Sequence, residues 1–154
     1  MIGTQTDSNS GIIFFTSPIG LGHATRDIAI AEKLIELGKV KEDIHFVTGK
    51  HAFELISNRG YFASDLYKPE GFSIRSGELH HAFKWLLKYF WYYRKCKIIA
   101  AKVVKVHNSE YSHGNLIVSD EDFASIAVAE KINHKRILIT DITETHFANG
   151  KLAS

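Results

Sequence analysis

Four short runs govern what this chain can become: Ile12–Thr16 (IIFFT), Ile44–Thr48 (IHFVT), Asn115–Ser119 (NLIVS) and Arg136–Thr140 (RILIT). Each is rich in β-branched or aromatic residues, and none shows the strict apolar–polar alternation of a strand with one wet face. They read as strands, the first of them buried on both faces. Stretches of helical character separate them. Ala24–Leu37 sets Ile28, Ala31, Leu34, Ile35 and Leu37 on one stripe ending at Gly38, and Lys50–Asn58 carries Phe53, Leu55 and Ile56 before Gly60. Glu121–Ile132 spaces Phe123, Ile126, Ala127 and Glu130 in the same manner. Strands of this kind alternating with helices predict an α/β fold, a Rossmann-like doubly wound parallel sheet in which the four runs lie side by side.

The remaining segments are less patterned. Tyr61–Gly77 is broken by Pro69, Gly71 and Gly77 and reads as loop with one short strand, while Leu79–His107, free of Gly and Pro, suits two helices or one kinked helix. Asp141–Ser154 has no period. At 154 residues, 45% of them hydrophobic and 23% charged, the chain suits one domain over residues 11–154 behind a polar, disordered tail over residues 1–10. Neither a secretory signal nor a membrane span is readable, which predicts a cytoplasmic protein. A lone cysteine, Cys96, excludes an intrachain disulfide and a cysteine-based zinc site. The net charge of +2 is too small to argue for nucleic acid.

In an open parallel sheet, ligands sit beyond the carboxyl ends of the strands, and here the first such turn is Gly20-Leu21-Gly22-His23-Ala24-Thr25-Arg26. Glycines let backbone amides approach a ligand; equally, they can serve only to make a tight turn. A dinucleotide fingerprint is not met, because Thr25 stands where the third glycine would fall and Thr48-Gly49-Lys50 offers no acidic residue for a ribose. A phosphate-binding loop fails as well, since Gly49-Lys50-His51 lacks both the upstream glycine and the hydroxyl after lysine. His23, at the mouth of the sheet, is placed to act as a general base or else to play a structural part. Asp120 follows the third run and emerges on the same edge, where it either orients the imidazole or caps the helix starting at Glu121, a task Ser119 could take over.

Ser17–Ala31 (SPIGLGHATRDIAIA) resembles the opening of the GT-B glycosyltransferases, especially archaeal and bacterial relatives of the peptidoglycan N-acetylglucosaminyltransferase. Leu116–Lys131 with Arg136–Asp141 is similar to the strand-helix-strand that closes the N-terminal domain of that family. The resemblance implies one half of a two-domain enzyme: the acceptor-binding half of an inverting, metal-independent transferase that takes a sugar from a nucleotide-sugar donor to an acceptor hydroxyl. It implies His23 as the base that deprotonates the acceptor, Asp120 as its support, and Gly20, Gly22 and Arg26 as acceptor or loop contacts. No cofactor is expected. A C-terminal GT-B domain or a separate subunit would hold the donor, and the isolated chain would be inactive. The alternative is a non-catalytic module of a split glycosyltransferase that docks a membrane or a partner.

Leu79–Ser109 contains no Asp or Glu but holds seven basic residues, Lys84, Lys88, Arg94, Lys95, Lys97, Lys102 and Lys105, interleaved with Phe83, Trp85, Tyr89, Phe90, Trp91, Tyr92 and Tyr93. That composition suits a helix packed on the core or on the second domain before it suits peripheral contact with the inner face of a membrane through residues 79–107. An anionic or lipid acceptor would also fit. No nucleic-acid module is recognisable. His80-His81, and Glu144 with His146, have no third ligand at a recognised spacing, so no metal is expected.

Overall fold

The computed structural model describes residues 10–69, 74–75, 78–79, 82–111 and 114–140. The expected tail, the His80-His81 pair and the segment from Asp141 onward with Glu144 and His146 lie outside those residues, apart from Ser10. Gly11–Thr16 (β1) is buried along its whole length, as its lack of alternation requires, and takes the centre of a five-stranded sheet. Ile44–Thr48 (β2) pairs on one side of it and Asn115–Asp120 (β6) on the other. Phe62–Asp65 (β3) and Lys135–Ile139 (β7) form the edges, giving the order β3-β2-β1-β6-β7 with every pairing parallel. Ile74–Arg75 (β4) and Glu78–Leu79 (β5) make a separate antiparallel ladder.

Parallel neighbours need crossovers, and the helices supply them on both faces. Gly22–Glu36 (α1) and Lys50–Asn58 (α2) cover the side to which Ile12, Phe14, Ile44 and Phe46 point, with Phe14 and Phe46 stacked 4.9 Å apart. Ala82–Glu110 (α3) and Phe123–Lys131 (α4) cover the opposite side, where Ile13, Phe15, Val47 and Ile117 meet Cys96, Ala100 and Val104. Each large apolar side chain so buried contributes roughly 1.5–3 kcal/mol. Gly49 follows β2 with an extended φ of −167°, and a Cβ there would come within 1.8 Å of the Tyr67 carbonyl oxygen. Close approach, not a special dihedral, requires that glycine.

Several sequence expectations change. Of the two options for Leu79–His107 the structure takes the single helix, α3, with its bounds moved to Ala82 and Glu110. Leu37 is the C-cap of α1 and is exposed, so it leaves the apolar stripe. The buried face of α4 is Ala124, Ser125, Val128 and Ala129, and Phe123 is exposed. Small residues there let α4 approach α3 and the sheet closely, which outweighs the burial of one phenyl ring. Neither Asp120 nor Ser119 caps α4: Asp122 does, accepting from the Ala124 and Ser125 amides.

Candidate functional site at the carboxyl edge

The turn leaving β1 is shaped by Gly20, whose φ of +81° belongs to the left-handed region that favours glycine. Gly22 is different. It opens α1, and a Cβ on it would meet nothing within 4 Å, so the fold itself has no need of glycine there. Leu21 is the N-cap of α1 and offers no side-chain hydrogen bond. The first amides of the helix therefore face the sheet edge without a side-chain cap.

One turn of α1 carries the rest. His23, Arg26 and Asp27 stand at i, i+3 and i+4 and share a face. That face meets the end of β6, where Asp120 is in register with Thr16 of β1. His23 Nδ1 lies 3.1 Å from Asp120 Oδ1. Arg26 grips the same carboxylate with both ends of its fork, Nε donating to Oδ2 at 2.9 Å and Nη2 to Oδ1 at 2.6 Å. Asp120 is fully buried, and His23 keeps 15% of its side chain exposed. The structure thus brings His23, Arg26 and Asp120 together, and it leaves Gly20 and Gly22 on the loop beside them. Arg26, expected as an acceptor or loop contact, also holds the Asp120 carboxylate.

His23 Nδ1 is also 3.2 Å from Arg26 Nη2, so the ring nitrogen has a donor and an acceptor in reach. The guanidinium makes its shorter contact to Asp120, which favours the tautomer with the proton on Nδ1, donated to the carboxylate. Nε2 then carries the lone pair and points to the rim, where Glu121 Oε2 stands 3.4 Å away. Glu121 has a φ of +54° and its amide donates to the Ile139 carbonyl at 3.0 Å. A non-glycine residue in that region is strained, and here the strain sits against His23 Nε2.

Beside the cluster opens a cavity of about 160 Å³, walled by the Ser17–Ile19 turn, by Tyr67, Tyr89 and Tyr92, and by Glu121–Phe123. Glu121 joins cavity and His23. The buried Tyr67 hydroxyl donates to Asp122 Oδ2 at 2.7 Å, and burial pushes the Asp122 carboxyl up from its ordinary value. Burial likewise holds the Cys96 thiol up at about 11, so this cysteine is an inert wall rather than a nucleophile. Asp27, Glu121 and Tyr67 were not singled out by motif; the i, i+4 spacing from His23 was the available signal for Asp27.

Two further features lie away from this edge. His45 Nδ1 and His107 Nε2 meet at 2.5 Å between β2 and α3, with Ser64 on the other His45 nitrogen at 2.8 Å. The first third of α3 keeps Phe83, Leu86, Leu87, Phe90 and Trp91 exposed, whereas Tyr92 and Tyr93 pack on the core. No group of three or more metal-ligating side chains is assembled among the described residues, and none of their helices is long and apolar enough to cross a membrane.

No family model matches the sequence, and no curated protein matches it. Solved structures that share the fold include the following two. CalG4, the calicheamicin glycosyltransferase, is similar with a TM-score of 0.57 and 16% identity over 85% of this chain and 32% of its own. This chain therefore spans about a third of that one. The C-terminal domain of PF1911 hydrogenase from Pyrococcus furiosus is similar with a TM-score of 0.50 and 8% identity, covering 84% of this chain and 90% of its own. The architecture is a Rossmann-like parallel α/β sheet that matches about a third of the CalG4 chain and most of the hydrogenase domain, and such a fold does not by itself assign chemistry.

Proposed function

We propose that this chain is the acceptor-binding half of a glycosyltransferase, with His23 as general base and Asp120 as its support. The observation that carries the reading is the contact of His23 Nδ1 with a buried carboxylate at 3.1 Å, at the carboxyl edge where α/β sheets bind ligands. An acceptor hydroxyl at the rim gives its proton to His23 Nε2 while its oxygen attacks the anomeric carbon. The bond from that carbon to the nucleoside diphosphate breaks with inversion. Asp120 keeps Nδ1 protonated and faces the positive ring as it forms, and the tyrosine-walled cavity receives the rest of the acceptor. The reading calls for no cofactor and no metal, the nucleotide-sugar being a substrate held by a second domain or subunit. Kinship with the peptidoglycan N-acetylglucosaminyltransferase branch is part of the same proposal.

In an active preparation that includes the donor-binding part, His23→Ala is expected to lower turnover by roughly two to four orders of magnitude, the scale of a lost general base. Wild-type turnover in that variant returns His23 to a structural role and leaves the second reading, a docking module. The exposed apolar start of α3 favours that reading in part, because five large side chains there are uncovered amid lysines. An anionic lipid surface at the inner face of a membrane suits it, and catalysis and docking are compatible.

A further inference from the structure

We propose that Asp27 and Asp120 share one proton, so that Asp27 is a neutral acid whose Oδ1 donates to Asp120 and holds that carboxylate in place beneath His23. Asp27 is thereby a positioning residue, and its role in catalysis rests on the reading of His23 given above.

Thr16 and Asp120 are cross-strand partners in a parallel pair, so both side chains leave the sheet on the α1 side. Asp27 comes down on them from α1. It is completely buried, and the Thr16 hydroxyl donates to its Oδ2 at 2.6 Å. Its Oδ1 is buried with no hydrogen-bond partner among the described residues. Such an orphan costs about 1–3 kcal/mol, and more if the group is charged.

Charge explains why no donor is offered. Among the described residues the groups facing Asp27 are Thr16 from β1, Asp120 from β6 and Arg26 from its own helix, with His23 and Glu121 beyond Asp120. Arg26 spends Nε and Nη2 on Asp120. Two ionised carboxylates buried against one guanidinium would leave a negative charge uncompensated away from water. A proton on Asp27 Oδ1 removes that charge and turns the orphan acceptor into a donor, with Asp120 as the neighbouring acceptor. Burial, chiefly, lifts the Asp27 carboxyl to about 7; the Thr16 hydrogen bond opposes the shift, and the charge and hydrogen bonding of Asp120 add to it. For the reaction, Asp120 is held by Asp27 below and Arg26 at the side, which fixes the carboxylate that His23 Nδ1 faces.

The test is carbon-13 NMR of the aspartate carboxyls in the 154-residue chain, with nitrogen-15 shifts of the His23 ring followed in parallel. Asp27 is expected to be protonated at pH 6 and to titrate with a midpoint at about 7. Asp27→Asn keeps a donor toward Asp120 without the charge. It is expected to preserve the His23 tautomer. A midpoint below about pH 5, in the range of an ordinary carboxylate, overturns the proposal, as does loss of the His23 tautomer in Asp27→Asn. The wild-type titration stands even if the variant fails to fold. These readouts need no turnover, so active His23→Ala enzyme would sink the catalytic reading while leaving the shared proton intact.

Discussion

Glu121 is the residue at which stability and chemistry pull in opposite directions. Its φ of +54° is held by the amide bond to Ile139, and its carboxylate meets His23 Nε2 at 3.4 Å. An L-residue in left-handed conformation costs on the order of 1 kcal/mol that glycine does not pay. Glu121→Gly is therefore expected to leave stability unchanged or raise it by up to about 1 kcal/mol, since relieved strain outweighs a partly exposed ion pair. In active enzyme the same variant is expected to lower turnover roughly tenfold, because one of the two carboxylates facing the cationic ring is gone. Thermal unfolding and initial rates of the one variant check both halves. A loss of stability beyond about 1 kcal/mol would show that the carboxylate, not the backbone, decides this position.

At the scale of elements, legibility followed burial. β1, β2 and β6 were readable because both of their faces are covered, which forces continuous apolar runs such as Ile12–Phe15. β3 was readable only as an unplaced short strand, since an edge strand with half-exposed Phe62–Asp65 has no such constraint. The start of α4 was misplaced because Ser119, Asp120 and Asp122 are all capping types. Only packing decides among them: Asp120 is spent on Arg26 and His23, and Asp122 is left for the amides. The candidate site was half legible for the same reason. His23 and Asp120 follow from loop and strand end, but a carboxylate buried beneath them looks like any polar residue on a helix until Thr16 and Asp120 are seen in register. In α3 the pattern was mixed because the helix serves two environments, its later turns in the core and its first turns in solvent. From those first turns follows an expectation for lipid. The chain should sediment with anionic phosphatidylglycerol vesicles at low salt and not with neutral phosphatidylcholine, each lysine near the surface adding about 1 kcal/mol. Replacing the exposed Phe90 and Trp91 together by Glu should abolish sedimentation and leave the melting temperature unchanged. Equal sedimentation of wild type and variant would assign the face to something other than lipid.

Over the whole molecule, two buried clusters on opposite ends of the sheet set the response to acid, and they act with opposite sign. Burial chiefly, with the neighbouring His107, holds His45 down at about 4. A depressed histidine contributes stability that is present above about pH 6.5 and is lost as pH falls toward the folded value. His107 is lowered too and works in the same direction. Asp27, raised to about 7, does the reverse: its contribution is fully present below its ordinary value of 3.8 and is lost as pH rises through the folded value. Asp122, also raised, sides with it. Each of the two large shifts is worth on the order of 3 kcal/mol at about 1.4 kcal/mol per pH unit, so between about pH 4 and 6.5 they oppose each other and wild-type stability is expected to change little. Asp27→Asn removes one side of the balance. Between pH 7 and pH 5 that variant is expected to lose about 2 kcal/mol, or roughly 4–8 °C in melting temperature, while wild type stays nearly level. His45→Gln should show the opposite slope, gaining stability as pH falls across the same range. Calorimetry at a series of pH values reads both variants, and parallel curves for Asp27→Asn and wild type would mean that Asp27 carries no extra proton in the folded state.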